Sequence, residues 1–297
     1  MGDLTERRKA LISGATGFIG LHLARKLVSE QWDVHVIVRP RSKIERFGNL
    51  KNERTIHLHD GTTEGMISIV KNVKPHVVFH LASLFLAQHQ SEDVAALIQS
   101  NILFSTQLVE AMAVNGVSRL INTGTSWQHY ENGEYNPVCL YAATKQAFEA
   151  MLTYYVETSS LSGITLKLSD TYGPRDFRPK LFTLLKNAAN KKESLKMSPG
   201  EQLIDLVYID DVIDAYLLAA EQIQNEQGHH QYAVTSGKPI KLKALVNLYT
   251  RVTGQSLSID WGARPYRIRE VMVPWNCGAT LPGWKPKVSL EQGIQHL

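Results

Sequence analysis

Cysteine is nearly absent from this chain: two residues in 297, Cys139 and Cys277, far apart and without a second Cys or His at ligand spacing. Neither a disulfide framework nor a zinc site is expected, and both thiols are read as free. No apolar run approaches the roughly 18 residues that would span a bilayer, so no membrane segment is expected. Residues 1–8 are polar and lead straight into an apolar strand, which leaves no room for an apolar signal region. A cytoplasmic protein is the expectation. An excess of one charge is also lacking: 32 Lys and Arg against 28 Asp and Glu leave a net charge of +4, and the basic residues are scattered. Nothing there favours a nucleic-acid partner. Internal repeats and low-complexity segments do not stand out. What remains is an ordinary globular composition, 43% hydrophobic and 20% charged, long enough for one to three domains, and two is our reading.

Short β-branched runs alternate with longer helical patterns. Strands are expected at 9–13, 33–38, 54–58, 76–80, 118–123 and 164–168, and helices at 18–30, 62–72, 92–115 and 141–160. Such alternation means βαβ units and a parallel sheet covered on both faces, a doubly wound α/β fold of the Rossmann kind. The runs Val34-His35-Val36-Ile37-Val38 and Val77-Val78-Phe79 are almost wholly apolar, as strands buried on both faces must be. Ligands of such sheets bind beyond the carboxyl ends of the strands. After Gly173-Pro174 the alternation breaks into a helical stretch near 179–191, an extended run at 204–208, a helix from Asp210 to about Gln224, and a Pro- and Trp-rich tail from Trp261. Residues 1–170 are read as a dinucleotide-binding domain to which 204–235 returns, and 171–297 as a smaller, interleaved substrate-binding domain.

The first strand runs into Gly14-Ala15-Thr16-Gly17-Phe18-Ile19-Gly20 and then directly into a helix. Each glycine has a physical task. Gly14 permits the tight turn, Gly17 lets the backbone approach a pyrophosphate, and Gly20 lets helix and strand pack closely. The helix N-terminus offers unpaired N–H groups and a partial positive charge to the anion. The second strand ends in Arg39, with Arg41 and Lys43 close behind, where an NAD-binding chain usually places an Asp or Glu for the ribose 2′-hydroxyl. An arginine there suits a 2′-phosphate instead, so the expected cofactor is NADP(H).

Tyr141-Ala142-Ala143-Thr144-Lys145 places a phenol and an ammonium four residues apart at a helix start, hence on one face. The positive charge is expected to lower the phenol's pKa and make it a usable acid or base. Thr125, ending the strand that begins at Arg119, would bring a hydroxyl to the same rim. Three such groups can hold and polarise one carbonyl or alcohol.

At this point the chain resembles the extended short-chain dehydrogenase/reductase family of nucleotide-sugar epimerases, dehydratases and reductases. Further matching pieces are His80-Leu81-Ala82-Ser83, Asn101, Tyr172-Gly173-Pro174 and Tyr208-Ile209-Asp210-Asp211-Val212. The resemblance implies Tyr141 as catalytic acid/base, Lys145 as the group that tunes it and holds the nicotinamide ribose, and Thr125 as the group that orients the substrate oxygen. It further implies adenine binding at Asp60-Gly61, a cofactor loop at Leu81, Ala82 and Ser83, pyrophosphate binding at Arg267, and a homodimer built on the helices near 92–115 and 141–160. Where the 4,6-dehydratases carry two acids after the threonine, this chain has Ser126 and Trp127, so dehydration is not expected. Asp170 stands where the family often has Asn. The stretch 123–128 and Asp176-Phe177-Arg178-Pro179-Lys180 most resemble the 4-ketoreductases of the CDP-abequose and CDP-paratose synthase kind, which serve deoxysugar and lipopolysaccharide O-antigen synthesis.

Several residues keep two readings. Ser126 adjoins Thr125, but neighbours on a strand point to opposite faces, which favours Thr125. Trp127 either walls the sugar pocket or belongs to the core. His80 is read as structural, His129 as a secondary candidate proton carrier, Cys139 as a small loop residue. Arg264 and Arg269 are alternatives to Arg267. The leading function is NADPH-dependent reduction of the 4-keto group of a nucleotide-linked deoxyhexose. A sugar epimerase is the alternative, and a non-catalytic redox sensor is disfavoured because Tyr141 and Lys145 are both present.

Overall fold

The computed structural model describes residues 7–52 and 54–297; the polar segment 1–6 lies outside the described residues. Its centre is a seven-stranded, wholly parallel sheet: β1 (Lys9–Ser13), β2 (Asp33–Val38), β3 (Arg54–Leu58), β4 (Val77–His80), β5 (Arg119–Thr125), β6 (Ser162–Leu168) and β7 (His229–Val234). They lie in the order β3-β2-β1-β4-β5-β6-β7. The winding reverses between β1 and β4, and that switch point is where a doubly wound sheet opens a crevice. The doubly wound α/β expectation therefore holds.

The helices are α1 (Phe18–Ser29), α2 (Thr63–Val73), α3 (Val94–Ile98), α4 (Phe104–Val114), α5 (Leu140–Thr158), α6 (Leu181–Lys191), α7 (Ile209–Gln222), α8 (Leu242–Thr253) and α9 (Leu290–Gln295). Leu23 and Leu27 of α1 pack with Ile213 and Tyr216 of α7 on one side of the sheet. Met66 and Val70 of α2, Leu108 and Met112 of α4, and Phe148 and Leu152 of α5 fill the other. With apolar side chains wanted on both faces, β1 and β4 are buried almost throughout.

One expected element is corrected. The helix read as continuous over 92–115 is a 3₁₀ turn at Ser91–Asp93, then α3, a π turn at Gln99–Leu103, and α4. The wider π turn carries the fully buried Asn101, and such turns recur at functional sites.

Beyond β6 the chain leaves the sheet and returns. Asp170–Tyr172 pairs in parallel with Leu206–Tyr208, and Leu195–Met197 with Ile259–Trp261, before and after the chain re-enters the main sheet as β7. The acidic turn after Tyr208 anchors the C-terminal tail: the Asp211 carboxylate accepts from the N–H groups of Lys287 and Val288, both at 3.0 Å. Trp284 Nε1 donates to the Asp211 carbonyl at 2.9 Å. No helix among the described residues is long and apolar enough to cross a membrane. Nor do three or more metal-ligating side chains gather among them.

Candidate active site

The β1–α1 turn is a backbone cradle. Gly14 sits at φ +76°, and a Cβ there would lie 2.5 Å from the amide nitrogen of Ala82, so only glycine admits this approach of two strand ends. A Cβ on Gly20 would lie 2.3 Å from the Gly14 carbonyl oxygen. The turn closes with Gly17 N–H donating to Gly14 O at 2.9 Å, and no side chain caps α1. Its first-turn amides are left for a ligand.

These amides open onto a cleft of about 660 Å³ lined by Gly14, Thr16, Gly17, Leu81, Ala82 and Ser83, with Asp60 and Gly61 on the side of β3. Arg39, Arg41 and Arg46 also line it. Arg46 donates to the Thr16 carbonyl at 3.2 Å and lies over the Phe177 ring at 3.6 Å, so a loop from beyond β6 reaches across to the cleft's edge. Asp60 ends β3's turn by accepting from Thr62 N–H and Oγ1–H at 2.9 and 2.8 Å, and these bonds hold its carboxyl below the usual carboxylate range. Five members of the predicted cofactor set do not line this cleft. Phe18 packs into the core beneath the Arg178 guanidinium, Gly20 packs its helix turn against the Gly14 carbonyl, and Ile19, Tyr141 and Lys145 line the neighbouring cavity.

That neighbouring cavity, about 180 Å³, brings together Ser83, Thr125, Ser126, Trp127, Tyr141 and Lys145. Tyr141, 8% exposed, has its hydroxyl against those of Ser83 and Thr125. The expected lowering of its pKa is not found. Burial dominates and pushes the phenol up, while the same burial brings Lys145 down to about 8. Burial thus favours the neutral, protonated phenol.

The pleat argument that set Thr125 against Ser126 does not apply, because the strand ends at Thr125 and Ser126 opens a 3₁₀ turn. Both residues line the cavity. Thr125 Oγ1 accepts from Trp127 N–H at 3.3 Å, and Gln128 Oε1 accepts from Thr125 N–H at 3.0 Å, a reciprocal cap. Trp127 is a wall rather than core: half-buried, it meets Phe85 at 5.5 Å, and Phe85 meets Tyr141 edge-on at 5.0 Å.

A third cavity, about 110 Å³, shares Ser126, Trp127 and Asp170 with the second and adds Arg267 and Glu270. Asp170 pairs with Lys180 at 3.2 Å, and Lys180 lies 4.2 Å from the centre of the Phe85 ring. Arg267 is the arginine placed here, held by two donations to Glu270 at 2.9 and 2.7 Å and lying over Trp127. Arg269 turns away to Asn136 and the Tyr130 ring. Arg264 does not line the cavity.

The supporting shell explains the remaining motif residues. His80 is bonded to Ser13 Oγ at 2.7 Å and Ser105 Oγ at 2.8 Å, a fully buried structural histidine held well below its ordinary pKa by desolvation. Asn101 accepts from Leu84 N–H and Ser83 Oγ–H and donates to Thr144, fixing Ser83 beside Tyr141. His129, the secondary proton-carrier candidate, is unsuited to that role. Its Nδ1 bonds Gly133 O at 3.0 Å, its Nε2 accepts from Lys167 at 2.8 Å, and Trp275 stacks on its face. Cys139, half-buried, has its thiol pushed up by burial, as an inert loop residue would.

Sequence reasoning passed over Arg46, Phe85, Glu149 and Lys167, and quoted Gln128 and Lys180 only within resembling stretches, without a role. Two left a signal. Thr125-Ser126-Trp127-Gln128 has capping-box spacing, and Glu149 lies one helical turn beyond Lys145. The others act across elements, where spacing carries no information.

A glycine-built cradle at the switch point of a parallel sheet, opening onto a Tyr-x-x-x-Lys helix, defines a dinucleotide-binding fold with a cluster of hydroxyls and a buried lysine at its rim. The chain belongs to the NAD dependent epimerase/dehydratase family, whose model matches residues 10–235. It is similar over nearly its whole length to the CDP-abequose synthase of Salmonella muenchen, at 27% identity over 99% of this chain and 98% of that one. The UDP-glucose 4-epimerase of Mycolicibacterium smegmatis is 25% identical over 96% of each chain. Among solved structures, the UDP-glucose 4-epimerase of Thermotoga maritima superposes with a TM-score of 0.85 at 24% identity, covering 97% of this chain and 96% of that one.

Proposed function

We propose that the protein is an NADPH-dependent reductase acting on the 4-keto group of a nucleotide-linked deoxyhexose, CDP-linked by its likeness to CDP-abequose synthase. The observation that carries the reading is the cluster of Ser83, Thr125 and Tyr141 hydroxyls over buried Lys145, where one long cleft meets a small cavity. A cradle of open helix amides in a cleft also lined by three arginines suits a phosphorylated dinucleotide. When bound, it would supply the hydride.

The chain's own residues handle the proton. Thr125 and Ser83 orient the substrate oxygen, Tyr141 gives its phenolic proton as negative charge develops there, and Lys145 stabilises the phenolate left behind. Arg267 would anchor the diphosphate, Trp127 and Phe85 wall the sugar, and Asp170 with Lys180 border the reacting carbon's side. Ser126 and Trp127, standing where dehydration needs two acids, support reduction over water elimination. The free ketosugar lacks the diphosphate handle and should be a poor substrate.

Incubation with NADPH and a panel of CDP-, dTDP-, GDP- and UDP-linked 4-keto-6-deoxysugars should show loss of the reduced-cofactor absorbance with one of them. Interconversion of sugar epimers without net NADPH consumption would replace this reading by the epimerase one, which similarity to the Mycolicibacterium smegmatis epimerase keeps in view.

A further inference from the structure

Behind the Tyr141–Lys145 face of α5 lies a buried polar group to which the reaction proposed above assigns no part. Glu149, 2% exposed, stands one helical turn beyond Lys145, which is 1% exposed. Its Oε1 accepts from Gln128 Nε2 at 3.0 Å, and its Oε2 lies 3.4 Å from Lys167 Nζ of β6. Gln128 in turn holds the Thr125 amide, and Lys167 donates to His129. One carboxylate is therefore paired with the Lys167 ammonium, stands one helical turn from the buried Lys145 ammonium, and reaches, through one side chain, the strand end that carries Thr125.

The surrounding charges are few. Lys145 is faced by Tyr141 and Glu149 on its own helix and by His80 from β4, whose ring nitrogens both bond serine hydroxyls. Glu149 is faced by Lys145, by Gln128 from the turn after β5, and by Lys167 from β6. His129 accepts the Lys167 proton at Nε2 and bonds Gly133 O through Nδ1–H, which makes it neutral. An ammonium taken out of water costs several kcal/mol unless a counter-ion stands close, and attraction in a dry site is correspondingly strong.

We propose that Glu149 is a positioning residue: its carboxylate is the counter-ion that keeps Lys145 charged in its dry site, and its bond to Gln128 sets Thr125 at the strand end. The proposal rests on the reading that Lys145 serves the dinucleotide. Without Glu149, the buried Lys145 ammonium would lose the carboxylate one helical turn away, and Lys145 would lose its proton at lower pH. A purely structural Glu149, one that only ties β6 to α5 through Lys167, would affect stability and leave that ionisation in place.

The test is the ionisation of Lys145, read in two ways. In the cofactor-free protein, NMR of labelled lysine Nζ and Cε, assigned with Lys145→Met, reports it with no ligand present. Quenching of tryptophan fluorescence by NADPH and by NADH across pH 6–9 reports it through affinity. Glu149→Gln keeps an acceptor for Gln128 and removes only the charge. It should move the Lys145 ionisation down by about one pH unit or more, and weaken dinucleotide binding several-fold at pH 7.5 but little at pH 6. Should Lys167, stranded in Glu149→Gln, unfold the chain, the double variant Glu149→Gln, Lys167→Met carries no stranded charge and is expected to show the shift. An ionisation that stays in place in the folded single or double variant overturns the proposal. If Lys145→Met binds both dinucleotides as the parent does, the cofactor role of Lys145 fails instead, and the NMR titration still decides whether Glu149 governs its charge.

Discussion

Replacing Tyr141 by Phe deletes one oxygen and leaves the ring that packs against Phe85 in place. Dinucleotide affinity should survive this change, while single-turnover reduction slows by ~10²–10⁴-fold, the range for a lost acid/base group. Near-normal turnover in Tyr141→Phe would exclude the phenol as proton donor. Because Tyr141 is held above the ordinary phenol range by burial, its protonated state should persist across neutral pH, and if Lys145 holds the dinucleotide, affinity should decline above about pH 8, a decline that Lys145→Met should abolish. Arg39 offers an independent check on cofactor choice. If it meets a 2′-phosphate, Arg39→Ala should weaken NADPH binding by about 10–100-fold, the worth of a lost charge-assisted hydrogen bond, and leave NADH binding unchanged in isothermal titration. Equal losses for both dinucleotides would point to the shared pyrophosphate instead.

Among the elements, the β1–α1 turn tolerates least. At Gly14 a methyl group meets the backbone of Ala82 in a conformation that side chains rarely adopt. Gly14→Ala should lower the urea midpoint by an amount equivalent to about 1–3 kcal/mol and abolish dinucleotide quenching. A variant as stable as the parent would mean that Leu81-Ala82 can yield. This turn was legible in the sequence because three glycines at fixed spacing serve one local purpose, and Tyr141, Lys145 and Thr125 were legible for the same reason. The π turn was not, since the buried Asn101 leaves no periodic trace. The return of 204–235 to the main domain was expected, but β7 itself was not read as a strand, because His229, His230, Gln231 and Tyr232 remain partly exposed at the sheet's edge and no apolar run marks it. α8 does carry Leu242, Leu245, Val246 and Tyr249 at helical spacing, a pattern available to a closer reading. The Asp170–Lys180 and Glu149–Lys167 pairs and the Arg46–Phe177 contact join residues distant in sequence, and only tertiary structure reveals them.

At the scale of the whole molecule, histidine burial sets the acid limit. His22, His57, His59, His80, His129 and His229 are all held below their ordinary pKa, chiefly by desolvation, His229 down to about 4. Between about pH 6.5 and 4 the unfolded chain binds more protons than the folded one, so stability is complete above about 6.5 and is lost as pH falls. Urea midpoints should therefore fall steadily from pH 7 to pH 5, and His229→Gln, which retains a partner for Thr165, should flatten part of that slope. A midpoint independent of pH over this range would contradict the buried-histidine account.

β7 pairs with β6 although sixty residues of intervening chain, 169–228, separate them. During synthesis, β6 emerges with Ile164 and Leu166 unable to complete their sheet until residue 234 has cleared the ribosome. An unpaired strand edge of that kind invites association with other chains. Closing a loop of this length is slow but adds little free-energy cost over a shorter one. A nascent chain arrested before residue 229 should thus remain sensitive to protease, whereas one extended past residue 234 with room to fold should become resistant in a single step, both segments of the interleaved chain acquiring protection together.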